Sequence, residues 1–357
     1  MAGRETSLTG ARWLRAAGLA VFSAVWVLLA KEVPAAQSLQ SRLAVWLSSW
    51  LHRLTSLVPF PLFEILLPAA VVALIVSLIG GARRGEFAEA FAGVMQCLCG
   101  ALAVFCLLWG VQYFSPPLAQ KLGLETQPRA VEELKALSRR MAEETNRLAP
   151  LVPREKGRCA FGDPASLSEA CAQSYEALGK RYGAYSSPVP RRAKLTFLLT
   201  EPMGYAGIAG VYFPFTAEPT VSRGTVQSHL PFHMAHEMAH SYGVAPEEEA
   251  GFSAFLACIE SSDVRLQYSA ALNAYVYANN ALYQYDEQSA SALSASLCKE
   301  ARSDLTLLDA QLKKYEGPIQ EVGNSVNDAY LKAWNQQAGV QSYGNIVDLL
   351  LAYYANK

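Results

Sequence analysis

The stretch His233-Met-Ala-His-Glu-Met-Ala-His-Ser-Tyr242 decides how the polar part of this chain is read. Four of the chain's five histidines, His229, His233, His236 and His240, fall within twelve residues. Residues 236–240 read His-Glu-Met-Ala-His, an H-E-x-x-H pattern. On an α-helix, positions i and i+4 share a face, so His236 and His240 can address one metal ion. Zinc lowers the pKa of a coordinated water, and Glu237 is placed to accept its proton. That is the metalloprotease arrangement. Glu237 is the one acidic or basic residue in the stretch apart from the histidines. The flanks therefore suit a half-buried helix whose single carboxylate is catalytic. His233 reads as a packing or supporting histidine, and His229 as the start of the helix.

A third ligand is needed. The metzincin pattern asks for a histidine or aspartate six residues beyond His240, and that position is Pro246. Instead the chain turns at Gly243, and Pro246 suits the first turn of a new helix carrying Glu247, Glu248 and Glu249. Acidic residues are favoured at a helix N-terminus in any case. Zincins that finish their site with a glutamate usually follow it with two arbitrary residues, an alanine and an Asp or Asn. Residues 247–251, Glu-Glu-Glu-Ala-Gly, fit the first four positions. Gly251 departs from the fifth, which leaves the hydrogen-bond support of a ligand histidine unassigned. Glu247 and Glu249 stand about 200° apart on a helix. The Glu247 face carries the small residues Ala250, Gly251 and Ala254, whereas the Glu249 face carries Phe252, Ser253 and Leu256. Glu247 is the expected ligand, with Glu249 the alternative.

Outward from the motif, charge and hydropathy divide the chain. Only 17% of residues are charged, against about 25% in an ordinary soluble protein. The deficit is concentrated before residue 120. Residues 16–30, 65–82 and 90–114 are uncharged runs, the last closed by Pro116 and Pro117. They predict three transmembrane helices at about 13–31, 62–82 and 90–114. The small residues near Val33-Pro34-Ala35 leave open a signal peptide in place of the first span. Arg4, Arg12 and Arg15 precede span one, and Arg83 and Arg84 fill the turn after span two. The positive-inside rule puts both clusters in the cytoplasm and everything after Phe114 outside it. Between spans one and two, Leu39, Leu43, Trp46, Leu47, Trp50, Leu51 and Leu54 fall on one helical face over 39–54. This helix is expected either in the membrane interface or packed on the polar domain.

From Lys121 onward the chain is polar and mostly helical. Helices are expected at 131–148, at 167–182 and from about 229 to the end. Strands are expected at 194–199 and 211–215, the second an edge strand because of Pro214. Zincins carry such an edge above the metal to pair with an extended peptide. Tyr205 or Tyr212 is a candidate oxyanion donor, although aromatic packing is the stronger reading of both. Cys97, Cys99 and Cys106 lie in span three. The other four are expected to pair locally, Cys159–Cys171 and Cys258–Cys298, in an oxidising compartment. The fold class that results is an α-helical transmembrane part (1–118) followed by a mainly α, zincin-like α+β domain with a small sheet (119–357).

These residues resemble an uncharacterised bacterial family of membrane proteins, known as a domain of unknown function, with an embedded zincin motif. The matching stretches are residues 59–64, Pro-Phe-Pro-Leu-Phe-Glu, and 109–118, Trp-Gly-Val-Gln-Tyr-Phe-Ser-Pro-Pro-Leu. Residues 207–216, the 236–240 motif with 247–252, and Ser342-Tyr-Gly344 also match. The resemblance implies three spans and an external zincin-like domain, in the bacterial cytoplasmic membrane, and brings no substrate.

The expected function is that of a membrane-anchored zinc peptidase acting outside the cytoplasm on peptide or envelope protein. The cofactor is Zn2+, with His236, His240 and Glu247 as ligands and Glu237 as catalytic base. An inactive metal-binding or envelope-interaction module is the alternative, and Glu237, which a mere binder does not need, separates the two. A transporter is disfavoured, because Glu64 is the one acid at the edge of a span. The net charge of −1 gives a nucleic-acid partner no electrostatic support. The lipid bilayer is the expected partner.

Overall fold

The computed structural model describes residues 2–127, 130–334, 336 and 346–355, with side chains from Leu8 onward. The Ser342-Tyr-Gly344 stretch and the side chain of Arg4 lie outside the described residues. The chain opens with four long helices: α1 (Ala2–Glu32), α2 (Pro34–Thr55), α3 (Phe63–Arg84) and α4 (Phe87–Leu108). The 8–32 part of α1, and all of α3 and α4, are long and apolar enough to cross a membrane. Val21, Val72 and Val76 are each about three-fifths exposed, as a lipid-facing surface requires. Helices α3 and α4 form a tight hairpin, since a Cβ at Gly81 would stand 2.4 Å from that of Ala90. Helix α1 packs along α4, and Arg12 pairs with Glu89 at 3.3 Å. Arg12, Arg15, Arg83 and Arg84 thus share one end of the bundle, and the polar part of the chain lies at the other.

Span three was expected to run to residue 114, but α4 stops at Leu108. Gly110–Phe114 tightens into a 3-10 turn because Gly110 receives the ring of Trp334, 2.6 Å from where a Cβ would be. After it come α5 (Leu118–Leu122), α6 (Val131–Leu148), the ribbon β1 (Arg154–Glu155) and β2 (Arg158–Cys159), and α7 (Pro164–Gly179). Then follow β3 (Lys194–Leu195), α8 (Thr200–Tyr205), β4 (Gly210–Phe213), β5 (Glu218–Val221), α9 (Leu230–Ser241) and α10 (Glu247–Ile259). The chain ends in α11 (Val264–Tyr283), α12 (Glu287–Ser296), α13 (Lys299–Tyr315), α14 (Pro318–Ala333) and α15 (Ile346–Ala355). The described part is mostly helical. Its three-stranded sheet has the order β3-β5-β4, parallel between β3 and β5 and antiparallel between β4 and β5.

Helix α9 is the centre of the polar part. Phe232, Met234, Ala235, Met238 and Ala239 are buried, with α7, α10, α11 and the sheet around them. Ala250, Ala254 and Ala257 of α10 are also fully buried, and such small side chains let the α9 and α10 axes approach closely. The free N–H of Phe232 in the first turn of α9 donates to Ser269 Oγ of α11 at 3.1 Å.

Helix α2 unites the two expected readings of residues 39–54. Its apolar stripe points outward, with Leu39, Trp46, Trp50 and Leu54 exposed. Its polar face is the buried one, carrying Gln40, Ser48, Ser49 and His52. The fully buried Arg191 donates to the carbonyls of Ser48 and Val45 and to the Ser49 hydroxyl, at 2.8–3.1 Å. Nε2 of His52 accepts from Arg192 N at 3.2 Å, so its Nδ1–H donates to Ala217 O at 2.9 Å. Burial, with the neighbouring Arg191, lowers this imidazole to about 4 and keeps it neutral.

The strand expected over 194–199 ends after two residues. Beyond Thr196 the backbone turns to Glu64, whose carboxylate accepts the N–H groups of Phe197 (3.1 Å) and Leu198 (2.6 Å). Lys194 Nζ donates to Glu218 Oε1 (2.6 Å) and to Thr55 O (2.8 Å), and Glu218 Oε2 accepts from Leu62 N (2.8 Å). The start of α3 is therefore tied to the sheet by buried charge. The expected disulfides are not formed, and all seven cysteines are free. Tertiary packing overrides the local pairing. Cys159 is held against Asp304 at 3.3 Å, and Cys171 and Cys258 meet at Pro231 O between α7 and α10.

Glu64→Ala is expected to cost about 1–3 kcal/mol, because it leaves the N–H groups of Phe197 and Leu198 without their acceptor. Glu64→Gln keeps an acceptor oxygen and should cost less. Thermal midpoints of the two variants in detergent test this, and equal losses would show that the acceptor is immaterial.

Candidate metal centre

Helix α9 presents His236 and His240 one turn apart, with ring centroids 4.8 Å from each other and planes at 88°. The turn at Gly243 (φ +88°) then brings the first residue of α10 back over them. Glu247 Oε2 lies 3.1 Å from His236 Nε2 and 3.5 Å from His240 Nε2. One ligand atom from each of the three falls within 4.8 Å of the other two. A tetrahedral zinc with bonds of about 2.0–2.2 Å holds its ligand atoms about 3.4 Å apart. Two neutral-capable imidazoles and one carboxylate fit zinc in donor type, and the two histidine–carboxylate separations are close to that spacing.

Burial sets the electrostatics. The Glu247 carboxylate is held well below its usual range, because the two imidazoles more than offset the opposing effect of burial. Burial pulls His240 down, but the charges of Glu247 and Glu237 outweigh it and push the ring up to about 9. His236 is lowered by burial despite its bond to Glu247. One carboxylate supports one extra proton, and the second imidazole stays neutral beside it. Burial raises Glu237 to about 8, with His240 pulling the other way.

The hydrogen-bond support missing at Gly251 comes from the backbone. His240 Nδ1 donates to Val244 O at 2.7 Å, which directs Nε2 toward Glu247. Gly251 itself packs on Ile346 of α15. Glu249 takes no part in the cluster: its Oε1 accepts from Leu118 N at 2.8 Å and holds the start of α5. His229 sits at the N-cap of α9 with Ser228 Oγ 3.0 Å from its Nδ1. His233 lies between it and His236, and burial lowers both His229 and His233 to about 4 and about 3.

Three surrounding residues escaped the sequence reading. Gly210 of β4 lies over Glu237: a Cβ there would stand 2.5 Å from Glu237 Oε1. Trp109, at the end of α4, meets His240 edge-on with centroids 5.6 Å apart. Tyr330 of α14 accepts from Trp109 Nε1 (3.3 Å) and from Tyr113 O–H (3.1 Å), which leaves its own proton unspent among the described residues. The stretches containing Gly210 and Trp109 were conspicuous in sequence, but nothing local marked Tyr330. Tyr212 packs obliquely on Trp109 at 5.0 Å and Tyr205 meets Tyr315 edge-on at 5.2 Å, so both fill packing roles.

The chain belongs to the family described as "Protein of unknown function (DUF3810)", which matches residues 40–351. No curated protein and no solved structure matches it.

Glu247→Ala is expected to lower zinc stoichiometry sharply, whereas Glu249→Ala leaves it near wild type and weakens α5 instead. Metal analysis of the two purified variants distinguishes them, and the reverse outcome would move the ligand to Glu249. A pH dependence follows as well. Below about pH 9 a metal must displace the His240 proton, so zinc affinity should rise roughly tenfold per pH unit between 6 and 8. A flat profile in competition titrations would contradict the proton assignment.

Proposed function

We propose that the chain is a membrane-anchored, zinc-dependent metallopeptidase that cleaves peptide bonds outside the cytoplasm. The observation that carries the reading is Glu237, a carboxylate buried beside the His236–His240–Glu247 cluster and covered by the backbone of a sheet edge at Gly210. The cluster would hold the ion. Zinc bound there supplies Lewis acidity, which makes water a nucleophile near neutral pH. Glu237 would take up the proton of the attacking water and return it to the leaving amine. The unspent O–H of Tyr330 is a donor for the oxyanion, in the role first considered for Tyr212.

The sheet offers a place for an extended substrate. Ser222 N donates to Ala209 O at 2.8 Å, which makes 209/222 a hydrogen-bonded pair. The antiparallel register then alternates, so Val211 and Phe213 bond to β5 while the N–H and C=O groups of Gly210 and Tyr212 point away from it. Pro219 faces Tyr212 at a non-bonded position and removes no bond from this ladder. A peptide added along this edge passes over Glu237. The location outside the cytoplasm rests on Arg12, Arg15, Arg83 and Arg84, which stand at the end of the bundle remote from the metal cluster.

Glu237→Gln tests the reading against an inert metal-binding module. The variant is expected to keep its zinc and fold and to lose roughly 10²–10⁴-fold in peptide hydrolysis. A Gln variant that cleaves a peptide library as fast as wild type would remove the mechanism, whatever its metal content.

A further inference from the structure

A cavity of about 780 Å³ lies apart from the metal cluster, between the end of α1, helix α2 and the 242–244 turn after α9. Its only charged lining side chains are Lys31, Arg42 and Lys121. Among the described residues, none of the three has a carboxylate within ion-pair distance. Lys31 and Lys121 make no hydrogen bond through Nζ, and Arg42 commits Nε and Nη2 to Ser38 and leaves Nη1 free. Glu32 follows Lys31 but does not line the cavity. Glu249 is the acid whose charge reaches Lys121, and it is committed to Leu118 N. Three cations around one space without an anion repel one another.

The rest of the wall says what kind of anion fits. Ala30 and Lys31 end the first apolar helix, and Phe114 closes the turn after α4, so the cavity stands where those helices leave an apolar medium. Trp46 lines its rim. From there the exposed stripe of α2, with Leu39, Leu43 and Trp50, continues the apolar surface of the spans. A free phosphate uses only the cationic half of such a site, whereas an amphipathic anion uses both.

We propose that this cavity binds the phosphate headgroup of an anionic phospholipid, with its acyl chains laid along Leu39, Leu43 and Trp46. Lys31, Arg42 and Lys121 all line the cavity and reach the phosphate with exposed side chains. The bound lipid shares a wall with the metal centre, because Val244 both lines the cavity and accepts the His240 Nδ1–H. The inference rests on the membrane anchoring of the chain and is independent of peptidase activity.

Native mass spectrometry of the delipidated full chain, offered equal phosphatidylglycerol and phosphatidylcholine, tests it. Wild type is expected to retain phosphatidylglycerol at least about tenfold better, and Lys31→Gln/Arg42→Gln to lose that preference. Both side chains are exposed, so the double variant should fold. Equal retention of the two lipids by wild type, or an unchanged preference in the variant, would overturn the site. Inorganic phosphate that displaces phosphatidylglycerol at millimolar concentration and raises the thermal midpoint equally would overturn the lipid assignment.

Discussion

The Glu247 carboxylate, buried between the imidazoles of His236 and His240, constrains the rest of the molecule. An ionised group taken out of water is costly unless it is paired. Here the partners sit on a different helix, so α9 and α10 must approach closely and in one register. The alanines of α10 permit the approach, and Gly243 permits the reversal that joins the helices. Val244 then directs His240, and Gly210 leaves just the room that Glu237 needs. Each of these small residues answers to a buried polar group within one turn of α9.

The same centre is joined to the apolar helices without an intervening linker. Trp109, one residue past α4, touches His240, and the aromatic cluster of Trp109, Tyr113, Tyr212 and Trp334 runs from the end of that helix to the sheet. Glu64 at the start of α3 caps the backbone after β3, and the buried face of α2 holds Arg191. Two polar anchors and one aromatic cluster thus fix the layer of the His236–His240–Glu247 group to the ends of the apolar helices.

Much of this was legible in the sequence, for identifiable reasons. The three apolar helices follow from long uncharged runs of the length that could cross a membrane. The His236, His240 and Glu247 convergence follows from helical periodicity and from side-chain size on α10. What failed were features set by distant partners. The strand at 194–199 was cut short by a carboxylate more than a hundred residues earlier in the chain, and α4 was ended by a tryptophan from the C-terminal region. The cysteines were placed by helix packing, which spacing does not encode. The support of a ligand histidine that Gly251 left unassigned comes from the Val244 carbonyl, a group every residue carries. The inverted burial of α2 was half-legible: its stripe was visible, but which side faced protein depended on Arg191.

The central proposal is that two histidines and one carboxylate share a zinc ion. Zinc K-edge X-ray absorption on the purified protein measures that set directly. One zinc per chain is expected, with two imidazole nitrogens and only oxygen otherwise, at about 2.0–2.2 Å. A sulfur shell near 2.3 Å, or no stoichiometric zinc after growth in zinc-replete medium, would contradict it.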